Sequence, residues 1–511
     1  MKLPQTFRST LAVVTGVALI ARLLALLWND RLFGDVNLYA LVARQWMQTG
    51  RLDYPLKFDY FDPAPYLTLT SPASQHPPAW SWLAGLLTRY AGLPDAYAAL
   101  QLLSLLAGLA VVVLGTLIAR RLSDDRCAFW TGLLLALHPL LVDFSANGSP
   151  YIAVAAGALA LVFATISSER SAVFRGLLAA TGAAAAWNFH GVGLLLIPAG
   201  FLALGLAHSS SPRLPLLATY LLATTLLVTP LVAWNLQQFG KPVHSTSTFY
   251  ILGKLGLVSL VNDSSGIHHL TSSPGWAHAV PYLRLALKSS LLFVLHLGLE
   301  TGFAGLIFAT LGTVVLIRSR DCRTALALLI ITLALALPCL GWPEFKYRFL
   351  VLLLPLVLIA AAIGFRRSRW TTLLATGSIA GCLIFWCVQL VLTGSPAKYY
   401  AYDLEHRSDY SLMREASTFL RDQPTGAVLS IPHQLDGGVE ACWWHQHPAI
   451  LARGFPTPIV QRLITDFQPT YLLLSADQAS RLPPLSPNAQ LLFQNSGYHI
   501  YALPPPLSPS P

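Results

Sequence analysis

The chain has 511 residues, of which 54% are apolar and only 11% charged, and its mean hydropathy is +0.57. Soluble domains carry roughly 25% charged residues, so this chain lacks the polar surface to cover a water-soluble globule and reads as an integral membrane protein. The same figures exclude disordered, collagen-like and disulfide-stapled chains, and the net charge of +10 is scattered between apolar segments, which excludes a nucleic-acid partner.

In chain order, residues 9–28 are long enough to cross a bilayer, for which about 20 apolar residues are needed. Lys2 and Arg8 precede them, which places the N-terminus in the cytoplasm and makes this span an anchor, not a cleaved signal. Residues 29–78 form a first outer loop holding Asp30, Asp35, Asp53, Asp59 and Asp62. Within it, apolar residues at 36, 38, 39, 42, 46 and 47 predict a short amphipathic helix on the membrane surface, ended by Gly50.

Further spans are expected at 79–92, 97–119, 127–142, 150–168, 172–207 and 214–234. The stretch 172–207 carries Asn188, His190 and Gly191 near its middle, so it is either two crossings or one broken helix. Residues 235–283 form a second outer loop, and four spans follow at about 291–317, 324–341, 346–364 and 370–393. Arginine clusters at 318, 320 and 323 and at 366, 367 and 369 put the loops after 317 and 364 in the cytoplasm. Counting 172–207 once gives eleven spans, with residues 1–393 as the membrane domain. That count leaves Arg120, Arg121 and Arg126 outside, against the positive-inside tendency.

Residues 394–511 have a net charge of −2 against +12 for the rest, and read as a small extracytoplasmic α/β domain. A helical pattern over 410–423 precedes strands near 426–432 and 469–476, then a terminal pair joined by a turn around Asn495–Gly497. The six cysteines imply no disulfide framework. Cys442, His445 and His447 are metal-ligating types but give three ligands at most, and Trp443-Trp444 between them suggest a buried strand. Glu300 lies in an apolar stretch, where a carboxylate is expensive to bury.

No P-loop, dinucleotide fingerprint, zinc-protease motif or nucleophile elbow occurs. The informative residues are Asp35 and Tyr39, four apart, then His76-Pro77-Pro78 entering the next apolar segment. Asn235 to Pro242 (NLQQFGKP), Glu344 to Phe349 (EFKYRF) and Ala146 to Tyr151 (ANGSPY) follow between spans. In order and placement this pattern resembles the GT-C glycosyltransferases that use polyprenyl-phosphate sugars, a group that includes protein O-mannosyltransferases and bacterial lipid A aminoarabinose transferases. The resemblance covers most of residues 10–395.

It implies a GT-C-like membrane domain in a bacterial-type inner membrane, a polyprenyl-phosphate sugar donor and a lipid, glycan or protein acceptor. It also implies Asp35 as the base that takes the acceptor proton, with Tyr39, His76, Lys346 and Arg348 serving the donor and its phosphate. A carboxylate suits the first task and a guanidinium the second. Relatives often carry a second acid beside these motifs; here those positions are Gln75 and Val36, so the pattern for a two-carboxylate metal site is incomplete. A divalent ion held by Asp35 and His76 is one alternative beside a metal-free site. Asp35 would equally serve as a helix cap, and Arg348 could simply reach for the interface. The rival reading is a transporter or lipid flippase, which calls for polar residues near the midplane and two related halves.

Overall fold

The computed structural model describes residues 7–28, 35–58, 71–73, 76–207, 213–244, 258–259, 269–270, 276–319, 322–342, 345–366, 371–393, 407–431, 435–451, 461, 464–465, 468–481 and 489–504. The chain divides into two units. The first comprises residues 1–31, 98–244 and 277–401, and the second residues 32–97, 245–276 and 402–511.

The first unit is an α-helical membrane bundle. Among the described residues, six helices are long and apolar enough to cross a bilayer: α1 (Phe7–Trp28), α4 (Ala96–Leu122), α10 (Arg213–Phe239), α11 (Trp276–Ser319), α12 (Cys322–Leu340) and α13 (Leu350–Arg366, with the 3-10 turn before it). A seventh is the pair α5 (Asp125–Leu137) and α6 (Pro139–Ala146), bent by 57°. Shorter apolar helices are α7 (Tyr151–Ile166), α9 (Leu196–Ala207, preceded by a 3-10 turn) and α14 (Thr371–Thr393); α8 (Ala172–Phe189) packs against α7. Rows of exposed leucines, such as Leu221, Leu222, Leu226 and Leu227 on α10, face outward as lipid-facing helices require.

Small residues set the closest approaches. A Cβ on Gly157 of α7 or Gly182 of α8 would collide with the other's carbonyl oxygen, and between α11 and α13 a Cβ on Gly312 would meet the Ala360 carbonyl and one on Gly364 the Phe308 carbonyl. The bend between α5 and α6 has a local cause. Pro139 has no N–H, so the Leu135 carbonyl loses its helical donor. The buried Arg22 of α1 supplies one, donating to the carbonyls of Leu135 (3.3 Å) and Ala136 (3.0 Å).

The stretch 172–207 is broken at the expected place: α8 ends at Phe189, and His190 accepts from the Val192 N–H to start the 3-10 turn Gly191–Leu195. Arg120, at the far end of α4, lies 4.0 Å over the ring of Phe7, and Arg121 pairs with Glu169 beyond α7. The basic end of α4 therefore folds beside the start of α1.

The second unit holds α2 (Asp35–Thr49), α3 (Ala79–Ala91) and the C-terminal region. Residues 79–92, expected as a span, form this α3 of 13 residues, well short of the roughly 20 that a crossing needs. The helix over 35–49 forms as expected, with Gly50 in the left-handed region (φ 74°) closing it. It differs from a surface helix in that Val36 through Ala43 are all buried, packed by α3 and by α16 (Leu435–His445). Gly85 lets α3 close on α2, since a Cβ there would stand 2.6 Å from the Trp46 ring.

The tail helix and strands form as read, from α15 (Arg407–Arg421) through β6 (Val428–Ile431), β8 (Tyr471–Ser475), β9 (Gln490–Gln494) and β10 (Tyr498–Ala502). Two strands extend them into a six-stranded mixed sheet of order β2-β7-β6-β8-β10-β9. One is β7 (Ala449–Leu451); the other, β2 (Leu56–Phe58), comes from the first loop and pairs parallel with β7. Trp443-Trp444 lie on α16, not on a strand as their sequence suggested: the turn-long spacing from Glu440 to Trp444 is used helically, with the indole N–H donating to the Glu440 carboxylate at 3.2 Å.

Candidate functional site

Asp35 is the first residue of α2, where the helix dipole and the unsatisfied N–H groups of the first turn favour a carboxylate. Tyr39, one turn on, shares its face. His76 is brought back over both by the packing of α3 on α2. Pro77 and Pro78 fix the backbone there, and the Pro78 carbonyl accepts from the Trp82 N–H to begin α3.

The His76 Nε2 stands 3.8 Å from Asp35 Oδ2, and its ring stacks on Tyr39 at 5.0 Å between centroids with a 22° tilt. Tyr39 is buried, while the Asp35 and His76 side chains keep 20% and 15% exposure, enough for a ligand to reach them. Three of the residues marked by sequence thus form one cluster, a carboxylate backed by an imidazole that is held in plane by a buried ring. Among the described residues no three His, Cys, Asp or Glu side chains are gathered so as to hold a metal ion, so the pair alone offers two ligands. Asp53, which reads as a loop acid, is buried in β1 (Asp53–Tyr54) and pairs with Arg51 at 2.7 Å. Asp59, Asp62, Gln75, His268 and Glu344 lie outside the described residues.

Lys346 and Arg348 belong to the first unit. Lys346 leads into a 3-10 turn, Tyr347–Phe349, that starts α13. The Arg348 guanidinium lies 5.6 Å over the ring of Tyr151, a cation–π arrangement. Tyr151 in turn contacts His190 at 4.5 Å and Phe349 at 6.1 Å between centroids. ANGSPY, the break at 188–191 and EFKYRF, far apart in sequence, meet at this one tyrosine. NLQQFGKP has a structural role: Asn235 donates to the Pro242 carbonyl at 3.0 Å and Phe239 stacks on His244, ending α10.

Glu300 is buried with His138, their side chains each 3% exposed and 3.9 Å apart. His138 Nε2 also contacts the Glu300 carbonyl at 3.1 Å. Both sit at helix breaks, His138 between α5 and α6 and Glu300 beside Gly302 (φ 58°), and both line a cavity of about 500 Å³ with Ser378 and Cys382.

In the tail, His447 donates from Nε2 to the Leu420 carbonyl (2.9 Å) and accepts at Nδ1 from the Gly426 N–H (3.2 Å), which fixes its tautomer. His445 Nδ1 accepts from the His447 N–H. Burial, then His447 and Arg44, hold His445 well below the usual histidine range, and burial pushes the Cys442 thiol up to about 12. This trio is core structure. Sequence reading missed Arg44, whose guanidinium donates to the carbonyls of Trp443 (2.8 Å) and Cys442 (3.0 Å) and lies 5.0 Å over the Trp443 ring.

No family model and no curated protein matches the chain. Its fold is that of the GT-C membrane glycosyltransferases. It is similar to the structure of ArnT from Cupriavidus metallidurans bound to undecaprenyl phosphate, with a TM-score of 0.62 and 15% identity over 96% of this chain and 97% of that one. It is also similar to the oligosaccharyltransferase AglB from Archaeoglobus fulgidus, in complex with an inhibitory peptide and a dolichol-phosphate. There the TM-score is 0.58 and the identity 15%, over 93% and 70% of the two chains. The arabinofuranosyltransferase AftD from Mycobacteria matches at a TM-score of 0.54 and 15% identity, over 98% of this chain and 42% of that one.

Proposed function

We propose that this chain is a glycosyltransferase that moves a sugar from a polyprenyl phosphate to a lipid, glycan or protein acceptor outside the cytoplasm. The observation that carries this reading is the Asp35–His76–Tyr39 cluster on a GT-C fold: a partly exposed carboxylate in the first turn of a buried helix, held from behind. Two of the similar structures, ArnT and AglB, were obtained with undecaprenyl phosphate and a dolichol-phosphate, which supports a lipid-phosphate donor.

In the proposed reaction, the acceptor hydroxyl oxygen attacks the anomeric carbon while Asp35 Oδ2 takes its proton. The bond from that carbon to the lipid phosphate oxygen breaks, configuration inverts, and the bonding electrons leave with the phosphate. Arg348 and Lys346 are the proposed phosphate contacts, where fixed positive charge stabilises the leaving group. Tyr39 stacks on His76 and keeps the imidazole beside the carboxylate. Were a divalent ion bound, Asp35 and His76 would be its protein ligands, and it would supply Lewis-acid stabilisation of the phosphate.

The proposed location is a bacterial-type inner membrane with the N-terminus in the cytoplasm and the second unit outside. The contact of Arg120 with Phe7 supports this, because it sets the basic end of α4 on the side of the N-terminus, in accord with the positive-inside tendency. Among the described residues, six helices and the bent pair α5–α6 are long and apolar enough to cross; the proposed total of eleven also counts α7, α8, α9 with its 3-10 turn, and α14.

The test is release of free polyprenyl phosphate from a panel of polyprenyl-phosphate sugars by the purified protein. Consumption of one donor identifies the sugar. Failure to consume any of them, with lipid crossing the bilayer in reconstituted vesicles, would give the protein to the flippase class.

A further inference from the structure

We infer that Arg44 is a positioning residue through which the C-terminal domain fixes the helix that carries Asp35. The inference rests on the proposed glycosyl transfer and gives the tail a part in it.

Asp35 and Arg44 lie on the same fifteen-residue helix, α2. The last carbonyls of a helix have no partner within it. At the end of α16 the chain turns through Gln446, in the left-handed region at φ 62°. Arg44 reaches into that turn, donating from one terminal nitrogen to the Trp443 carbonyl and from the other to the Cys442 carbonyl, while its guanidinium carbon lies 5.0 Å over the Trp443 ring. A guanidinium can bridge two carbonyls and stack at once; an ammonium cannot. Its positive charge also suits a helix C-terminus.

The far side of α16 is equally fixed. Arg414 of α15 lies 4.3 Å over Trp444, and the His445–His447 bonds tie the turn to the Leu420 carbonyl and the Gly426 N–H. The first loop is pinned a second time where β2 pairs with β7, the strand that follows α16. A continuous path therefore runs from the tail core through Arg44 to α2. Burial holds the Arg44 guanidinium down to about 10, yet it keeps its charge at neutral pH.

The consequence is kinetic. A base displaced by a fraction of an ångström loses rate without losing donor affinity, and misplacement of about 1 Å costs on the order of a hundredfold. Arg44→Ala should lower kcat by tenfold to a hundredfold, on the order given for such displacements, with the donor KM unchanged. Millimolar guanidinium, which fits the vacated space, should restore part of kcat, while the same concentration of sodium chloride should not. Arg44→Lys, which keeps charge and stem, should show nearly the same loss. Hydrogen exchange at the amides of residues 36–43 should quicken in both variants and slow again on adding guanidinium.

Wild-type kcat in Arg44→Lys would overturn the proposal, and so would unchanged exchange at 36–43 in that variant. Should Arg44→Ala fail to fold, Arg44→Lys decides alone. If exchange responds as expected while Asp35→Asn proves fully active, the clamp stands as structure and the base assignment is what fails.

Discussion

The pair formed by Glu300 and His138 makes a quantitative prediction about the membrane unit. Both side chains are 97% removed from solvent exposure, 3.9 Å apart, and Nε2 of the histidine also touches the Glu300 carbonyl. An ion pair at that distance is worth about 4 kcal/mol at an effective dielectric of about 20. Taking away one partner of a buried pair costs about 3–5 kcal/mol, because the other charge stays behind. His138→Leu should therefore destabilise the protein by about that much. Glu300→Leu leaves the imidazole its backbone-carbonyl contact and should cost less, about 1–3 kcal/mol. The double replacement removes both polar groups and should cost less than the sum of the singles by about 2 kcal/mol or more, as contacting residues do. The assay is unfolding of purified protein in detergent, followed by tryptophan fluorescence for all four members of the cycle. Additivity within about 0.5 kcal/mol would refute the pairing.

Three further outcomes follow from the packing and the tail. Gly182→Val should destabilise the bundle by about 1–3 kcal/mol, since the new side chain meets the Gly157 carbonyl; Gly377→Ala, inside α14 at a position with nothing within 4 Å, is the control and should not destabilise in the same melt. His445 is held neutral by burial, so below its unfolded pKa of about 6.5 the unfolded chain binds a proton that the folded tail does not. Tail stability is then complete above that pH and falls as pH drops toward the depressed folded value; His445→Leu should flatten the fall, read by hydrogen exchange over 428–451 at pH 7 and pH 5. Arg126→Cys, exposed at the start of α5, should react with an impermeant maleimide only from the cytoplasmic side of sealed vesicles; labelling from outside would overturn the proposed orientation.

How far the sequence carries can be judged residue by residue. Asp35, Tyr39 and His76 were legible through their resemblance to the GT-C first-loop pattern; local physics adds only that 35 and 39 share a helix face and that two prolines start the next helix. The break at 188–191 was legible from polar residues inside an apolar run. Residues 79–92 were misread because apolar content does not distinguish a helix crossing lipid from one buried against protein; only its length of 13 residues betrays it. Trp443-Trp444 were misread for a related reason, since aromatic pairs favour strands only until a partner such as Arg414 uses their faces. Arg44 gave no local signal at all. Its partners are backbone carbonyls nearly 400 residues away, and carbonyls leave no mark in a sequence.

The most direct test of the central claim is sugar transfer by Asp35→Asn beside wild type, with donor binding and folding measured on both. Asparagine keeps the shape and can still cap α2, but it cannot accept the acceptor proton. The account predicts that the variant folds, binds donor lipid as wild type does, and releases polyprenyl phosphate at least a hundredfold more slowly, since a lost general base costs about 10²–10⁴. Transfer at the wild-type rate would contradict it, leaving Asp35 as the first residue of a helix and the base to be sought elsewhere.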